Sequence, residues 1–265
     1  MKVENWEEYI NEKLDKYELG KFYDVLVEDE VTSTNSIMKE NAEQRQEGEV
    51  LVALSQTMGR GRMNRRFHSP ANCGVYFSIV LKPDMEAKDY LSITTAAAVA
   101  VSMAVDNVAG IETTIKWVND IYYKQKKISG ILTEASIDSN AGKLKYAVLG
   151  IGININKPNE KYPDDIVDKA TWIFDTEVDY KTKCDLVVEV LKIFYEIYSK
   201  ISSKTYMDIY REKSFLIGRK IEYIYNNEKN IGEVIEIDDD AKLIVKTPIG
   251  QTHIVCSGEI NLVKF

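Results

Sequence analysis

Residues 55–70 read SQTMGRGRMNRRFHSP, with four arginines (Arg60, Arg62, Arg65 and Arg66) inside seven residues. A short apolar run, VLVALSQT (50–57), leads into this stretch, and GVYFSIVLK (74–82), apolar on both faces, leads out of it. Both runs read as strands, the second buried on two sides and therefore central in its sheet. Between them lies a loop with anchored ends and an accessible middle. Gly59 and Gly61 allow close backbone approach and positive φ. Arginine forks match the oxygens of phosphates and carboxylates, so the loop is suited to folding down on an anionic ligand. Charge alone leaves a solvated basic loop as an equal reading. A single-stranded nucleic-acid clamp fits less well, because that mode interleaves aromatic rings with the arginines and only Phe67 stands close.

The rest of the chain is acidic. Its 265 residues carry 34 Lys and Arg against 42 Asp and Glu, a net charge of −8. Generic attachment to DNA or RNA needs a basic face, so nucleic acid is not an expected partner; a local cluster of arginines still sets its own field. The 45% apolar content is enough to bury a real core. Cys73, Cys184 and Cys256 are odd in number and far apart, which reads as reduced cytoplasmic thiols. His68 and His253 have no ligand spacing, so no structural zinc site is expected. The N-terminal MKVENWEEYINEKLDKYELG is charged and amphipathic, unlike a signal peptide. LSITTAAAVAVSMAVDNVAG (91–110) is the most apolar segment, but Ser92, Thr94, Thr95, Ser102, Asp106 and Asn107 interrupt it. It reads as a buried helix stopped at Gly110, in a soluble, cytoplasmic protein with no membrane partner.

Further along, residues 4–19 predict a helix, 22–31 a strand, and TSTNSIMKENAEQRQ (32–46) a helix with Ser33 or Thr34 at its N-cap. Residues 111–137 predict two β-rich runs broken by KQKK (124–127), and 143–156 another strand. CDLVVEVLKIFYEIYSKI (184–201) has apolar residues at three-to-four spacing and reads as an amphipathic helix. From about Phe215, KIEYIY, IGEVIEID, KLIVKT, THIVC and INLVKF are short strands between polar turns. The class is α+β: a large mixed domain at 1–214, then a small all-β, barrel-like domain at 215–265.

Two further stretches carry chemistry. KWVNDIYYKQKKISGILTE (116–134) places Asn119-Asp120 at a strand end, then an exposed turn lysine (Lys127), Gly130 and Glu134. Taken alone, this is an ordinary hairpin. GIGININ (150–156) is Gly-rich but lacks the GxGxxG spacing of a dinucleotide fold. Covalent catalysis is not expected, since Cys73 and Ser69 have no neighbouring base.

Taken in order, STN (33–35), GRGRMNRRFHSP (59–70), KWVND…KKISGILTE and GIGININ resemble the biotin–protein ligases, whose pattern runs STN, GRGRxGRxWxSP, KWPND…KxxGILxE and GxGxN. The likeness covers about residues 28–156, and relatives such as the lipoate ligases share the fold and parts of the pattern. Val118 stands for the pattern's proline, Met63 for a common basic residue, Asn64 for a glycine and Phe67 for the tryptophan.

The resemblance implies a class II synthetase-like mixed sheet with helices and a C-terminal SH3-like barrel. It implies that biotin is activated by ATP with Mg²⁺ and then transferred to a lysine of a biotin carboxyl carrier domain. By the same likeness, Ser33, Thr34, Asn35, Gln56, Gly59, Arg60 and Gly130 belong to the biotin site, with Ser33, Thr34 and Gln56 holding the neutral ureido head. Arg60, Arg62, Arg65, Asn119, Lys127, Asn154 and Trp172 belong to the ATP site, with Trp172 stacked on adenine. Lys127, Arg62 and Asp120 are the catalytic set, Lys127 and Arg62 also reaching biotin. Asp120 is expected to pair with Arg62, or to help place the metal or the incoming lysine; the protein alone fixes no metal. The short segment ahead of Ser33 implies a monofunctional ligase without a DNA-binding domain. Members of the family are monomers or homodimers. The competing readings are a lipoate or octanoate ligase and a non-catalytic nucleotide-binding module.

Overall fold

The computed structural model describes residues 3–158, 162–258 and 260–263. Its first sheet has the order β1-β2-β3-β7-β6-β5-β4. These strands are Asp24–Val31 (β1), Glu49–Gln56 (β2), Gly74–Leu81 (β3), Thr114–Lys116 (β4), Asp120–Tyr123 (β5), Lys126–Asp138 (β6) and Lys143–Asn154 (β7). β1 and β2 are parallel and the remaining neighbours antiparallel, so the sheet is mixed. β3 is buried along its whole length between β2 and β7, the place its two-sided apolar sequence requires.

Helices α1 (Glu4–Lys16), α3 (Leu91–Ala109) and α4 (Tyr180–Tyr198) pack on this sheet and on one another. α3 is long and apolar enough to cross a membrane, yet it is mostly buried inside the protein as the core helix. Its alanines at 96, 97, 98, 100 and 104 are fully buried, and Gly110 closes it at φ 64. α4 begins after Asp179, whose carboxylate accepts from Thr182 N, and it ends at Tyr198. The expected 184–201 helix is therefore shifted, and Ile201 falls in a separate 3₁₀ turn. α1 stops at Lys16, before the expected 19, because Glu18 turns left-handed (φ 61) and Leu19 N returns to Leu14 O. α2 (Thr34–Lys39) is much shorter than the expected 32–46. Asn41 adopts φ 58, and Arg45 donates to the carbonyls of Ile37 and Glu40 that a longer helix would have used.

The second sheet is antiparallel, with the order β11-β10-β9-β8-β12. Its strands are Lys220–Tyr225 (β8), Glu228–Ile237 (β9), Leu243–Lys246 (β10), Thr252–Val255 (β11) and Ile260–Leu262 (β12), the small SH3-like unit that the sequence predicts. The turn between β8 and β9 shrinks from the expected five residues to Asn226-Asn227, both left-handed at φ 51 and 64. Lys264 and Phe265, the end of the last expected strand, lie outside the described residues. Buried side chains of this sheet, among them Ile221, Val234, Leu243 and Val245, join the same apolar cluster as those of the large sheet. Its turn at 238–241 is docked directly: Trp117 Nε1 donates to Ala241 O at 2.6 Å, and Arg211 pairs with Asp239 at 2.9 Å.

Candidate active site

A cavity of about 1010 Å³ opens where the start of α2, the arginine loop, the β5–β6 hairpin and the glycines of β7 converge. That is the upper end of the range for small-molecule sites, large enough for two ligands side by side. Among the described residues its cationic lining groups are Arg60, Arg62, Arg65, Arg66, Lys116, Lys127 and Lys169, against the carboxylates of Asp120 and Asp165. An acidic protein thus carries a strongly positive interior field at one place.

One end of the cavity is neutral and polar. Ser33 caps α2 by accepting from Ser36 N at 3.4 Å. Thr34 donates to Gln56 Oε1 through its N–H (2.9 Å) and its hydroxyl (3.2 Å), and Gln56 Nε2 donates to Ser69 Oγ at 2.9 Å. The buried Ser78 hydroxyl lies 2.8 Å from Thr34 Oγ1 and 2.7 Å from Asn35 Oδ1. The glycines of GIGININ serve this packing. A Cβ at Gly150 would sit 1.8 Å from Asn35 Oδ1, and one at Gly152 would sit 2.5 Å from the Phe67 ring.

The arginine loop is zipped at its base by Phe67 N to Gly59 O (3.0 Å) and Gly61 N to Arg65 O (2.8 Å). Positive φ falls on Met63 (54°) and Asn64 (58°), and not on Gly59 or Gly61 as expected. Asn is the residue that tolerates that region best after glycine. Gly59 is needed for space: its Cβ would lie 2.4 Å from Phe67 O, and the residue is not among the cavity-lining groups.

Lys127 is not a turn residue. The turn is Lys124-Gln125, left-handed at φ 48 and 62, and Lys127 already belongs to β6. Its backbone pairs with the strand-like segment around Ala170, through Lys127 N to Lys169 O and Thr171 N to Lys127 O, each 2.8 Å. The expected Asp120–Arg62 pair does not form. Asp120 Oδ1 accepts from Lys127 Nζ at 2.6 Å, because the lysine chain folds over the bare backbone of Gly130 to reach it. Arg62 Nη1 donates instead to Asn119 Oδ1 at 2.9 Å, and Asn119 is itself fixed by donating to Ile131 O at 2.7 Å. Arg60 Nη1 donates to Glu134 Oε2 at 3.1 Å.

Asn154 lines the cavity and donates to Thr171 O at 3.0 Å. Trp172 is not brought to the cavity wall. It donates to Asp175 at 2.8 Å and stands behind Tyr162, ring centroids 6.0 Å apart. Sequence reading missed several lining residues: Lys116, Tyr162, Asp165, Ile166, Lys169 and Ala170, and from the small sheet Gly258, Ile260 and Asn261. Residues 162–170 have no periodicity or spacing to betray them, and only the pairing with Lys127 brings them in. Burial, reinforced by Asp120 beside Tyr122 and Cys73 near Tyr162, pushes both phenols up to about 12. Both stay protonated at neutral pH, as hydrogen-bond donors and not as bases.

The profile of the biotin/lipoate A/B protein ligase family matches residues 27–154. The bifunctional ligase/repressor BirA of Bacillus spizizenii is 31% identical over 242 residues, spanning 90% of this chain and 74% of that protein. The biotin–[acetyl-CoA-carboxylase] ligase of Mycobacterium tuberculosis is 28% identical over 225 residues, spanning 81% and 79% respectively. Among solved structures, the biotin protein ligase of Aquifex aeolicus in complex with biotin and ATP superimposes with a TM-score of 0.76 at 28% identity, covering 92% of this chain and 100% of that one. A shared fold, four motifs gathered on one cavity and identity along most of the chain lead to one assignment: this protein belongs to the biotin/lipoate A/B protein ligase family.

Proposed function

We propose that the chain is an ATP-dependent biotin–protein ligase. It joins the carboxylate of biotin to the α-phosphate of ATP with release of pyrophosphate. It then passes the biotinyl group from biotinyl-AMP to a lysine of a biotin carboxyl carrier domain. The observation that carries this reading is one cavity that brings neutral, hydrogen-bonding groups at Ser33, Thr34 and Gln56, the last anchored behind the wall by Ser69, together with cations of the arginine loop and Lys127.

The first step presses a carboxylate against a polyphosphate. At 4 Å, like unit charges repel by roughly 4 kcal/mol at an effective dielectric of 20. Pre-placed cations offset this repulsion and the charge that develops on the transferring phosphate and the leaving pyrophosphate. In this reading Ser33, Thr34 and Gln56 bind the ureido head, Arg60 meets the carboxylate, and Gly130 forms part of the wall. Arg62, Arg65 and Lys127 face the phosphates, Arg62 held in place by Asn119. Asn154 lies toward the adenylate, and Tyr162 backed by Trp172 offers an aromatic surface to adenine. Mg²⁺ would accompany ATP and neutralise phosphate charge; the cavity carboxylates that would offer it oxygen donors are Asp165 and the Asp120 oxygen not bonded to Lys127. In the second step the carrier amine attacks the acyl carbon, AMP leaves, and Asp120 helps align the incoming lysine.

A lipoate or octanoate ligase needs an apolar slot where Ser33, Thr34 and Gln56 stand. Exchange of labelled pyrophosphate into ATP tests the assignment. Exchange should require biotin; exchange with lipoate instead would transfer the assignment to the lipoate branch, and exchange with neither acid would leave a binding module.

A further inference from the structure

Glu134 ends the motif that supplies Lys127 and Gly130, yet the reaction above gives it no part. Its side chain on β6 is only 14% exposed, and its oxygens serve three partners. Oε2 accepts from Asn35 Nδ2 (3.2 Å) and Arg60 Nη1 (3.1 Å), and Oε1 accepts from Lys39 Nζ (3.0 Å). Burial works to raise its pKa, but Lys39, Asn35 and Arg60 outweigh burial and hold the carboxyl below the usual range. Asn35 is buried and also donates to Leu132 O at 3.3 Å. A continuous chain of bonds therefore runs from Gln56 through Thr34, Ser78 and Asn35 to Glu134 and Arg60.

We propose that Glu134 is a positioning residue that sets the span between the neutral end of the cavity and Arg60, and so selects the length of the acid that is activated. The inference rests on the ligase reading. Biotin has a rigid bicyclic head and a carboxylate on a flexible four-carbon arm. A free arginine chain carries large rotamer entropy and would accept a carboxylate at several distances. Tied to Glu134, which is tied through Asn35 to Thr34, the guanidinium waits at one distance from the head-reading groups. The exposed Lys39 helps hold the carboxylate but touches nothing in the cavity, so it has no part in the span.

The test is pyrophosphate exchange with biotin and with homobiotin, whose arm is one methylene longer. Glu134→Ala should raise the KM for biotin about five- to tenfold, the scale of losing a charge-assisted hydrogen bond. The KM for ATP should stay unchanged, and the preference for biotin over homobiotin should narrow. In an Arg60→Ala background the same substitution should add nothing, because Glu134 acts through that arginine. If Glu134→Ala fails to fold, the isosteric Glu134→Gln carries the same cycle, with a smaller rise in KM that also vanishes without Arg60. Additive effects, or an unchanged preference between the two acids, would overturn the role of Glu134. Absence of biotin-dependent exchange in the unmodified protein would instead remove the ligase reading itself.

Discussion

Lys127 Nζ lies 2.6 Å from Asp120 Oδ1, and the bare backbone of Gly130 is what lets the lysine chain cross to that carboxylate. The pair holds a cation at the cavity wall in a fixed place, with the Phe67 ring 5.8 Å from the ammonium. Lys127→Ala should therefore lower the adenylation step by about 10²–10³-fold, the usual loss for one pre-placed electrostatic group. Pyrophosphate exchange measures that step without the carrier. Activity within a few-fold of the unmodified protein would show that Lys127 is only part of the hairpin.

Asn119 does two jobs at once, turning Arg62 toward the cavity and satisfying the carbonyl of Ile131. Asn119→Ala removes both, so it should slow exchange by roughly tenfold and cost about 1–3 kcal/mol of stability. Asn119→Asp should keep Arg62 in place while losing the donor to Ile131. A denaturant series that shows equal stability for Asn119→Ala and the unmodified protein would contradict the second role.

Gly59 is enclosed by the backbone carbonyl of Phe67 and by the hydrogen-bonded Ser69 and Gln56 side chains. The added Cβ of Gly59→Ala would lie 2.4 Å from Phe67 O and 2.6 Å from Ser69 Oγ. Relief must come from opening the loop base, where Gly59 O accepts from Phe67 N. Overpacking of this kind costs about 1–3 kcal/mol. The substitution should weaken both biotin and ATP, with far-UV circular dichroism unchanged. Unaltered KM values would show that the loop does not depend on this closure.

The fold was largely legible because its signals were local. β3 announced its central position by a nearly unbroken apolar run, and α3 its end by Gly110, each a matter of side-chain polarity or one dihedral angle. The length of α2 was not legible, since Arg45 folds back to bond the carbonyls of Ile37 and Glu40, which no helix pattern records. In the site, motif spacing gathered Thr34, Gln56, Arg62 and Lys127, and the fold brings them onto one cavity. It misassigned the partner of Asp120, because whether a lysine or an arginine reaches a carboxylate depends on strand register and on the missing side chain at Gly130. Tyr162 and Lys169 carried no signal at all: they arrive by pairing of an irregular segment with β6.

Met63 and Asn64 form the tip of the arginine loop, and Met63 is 66% exposed in a left-handed conformation that a non-glycine residue adopts at a cost. The tip is thus the easiest part of the loop to open. Limited trypsin digestion should cut at Arg62, Arg65 or Arg66 in the protein alone and be suppressed by biotin plus ATP together. Equal cutting with and without the ligands would remove the idea that the loop orders on them. Met63→Gly should relieve the strain at the tip and leave the ligand dependence of cutting in place.

The contact between the two sheets gives a pH dependence whose sign is fixed by its charges. Hydrogen bonds from Lys204 and Lys242 hold the Asp240 carboxyl at about 2, below its ordinary 3.8. The unfolded chain therefore takes up the proton more readily than the folded one. Stability from Asp240 is complete above 3.8 and is lost as pH falls from there to about 2. Its partners move the other way: Asp240 raises both Lys204 and Lys242, so their share is present below 10.5 and fades only as pH rises past it. Asp240 is half exposed, which keeps the contribution modest and sensitive to salt. At low ionic strength, thermal melts of the unmodified protein should lose stability more steeply between 3.8 and about 2 than those of Asp240→Asn. At neutral pH the variant should already sit near the lower level. Parallel slopes for the two proteins across that interval would mean that Asp240 does not hold this turn through charge, leaving the Arg211–Asp239 pair and the bond from Trp117 to Ala241 as its attachments.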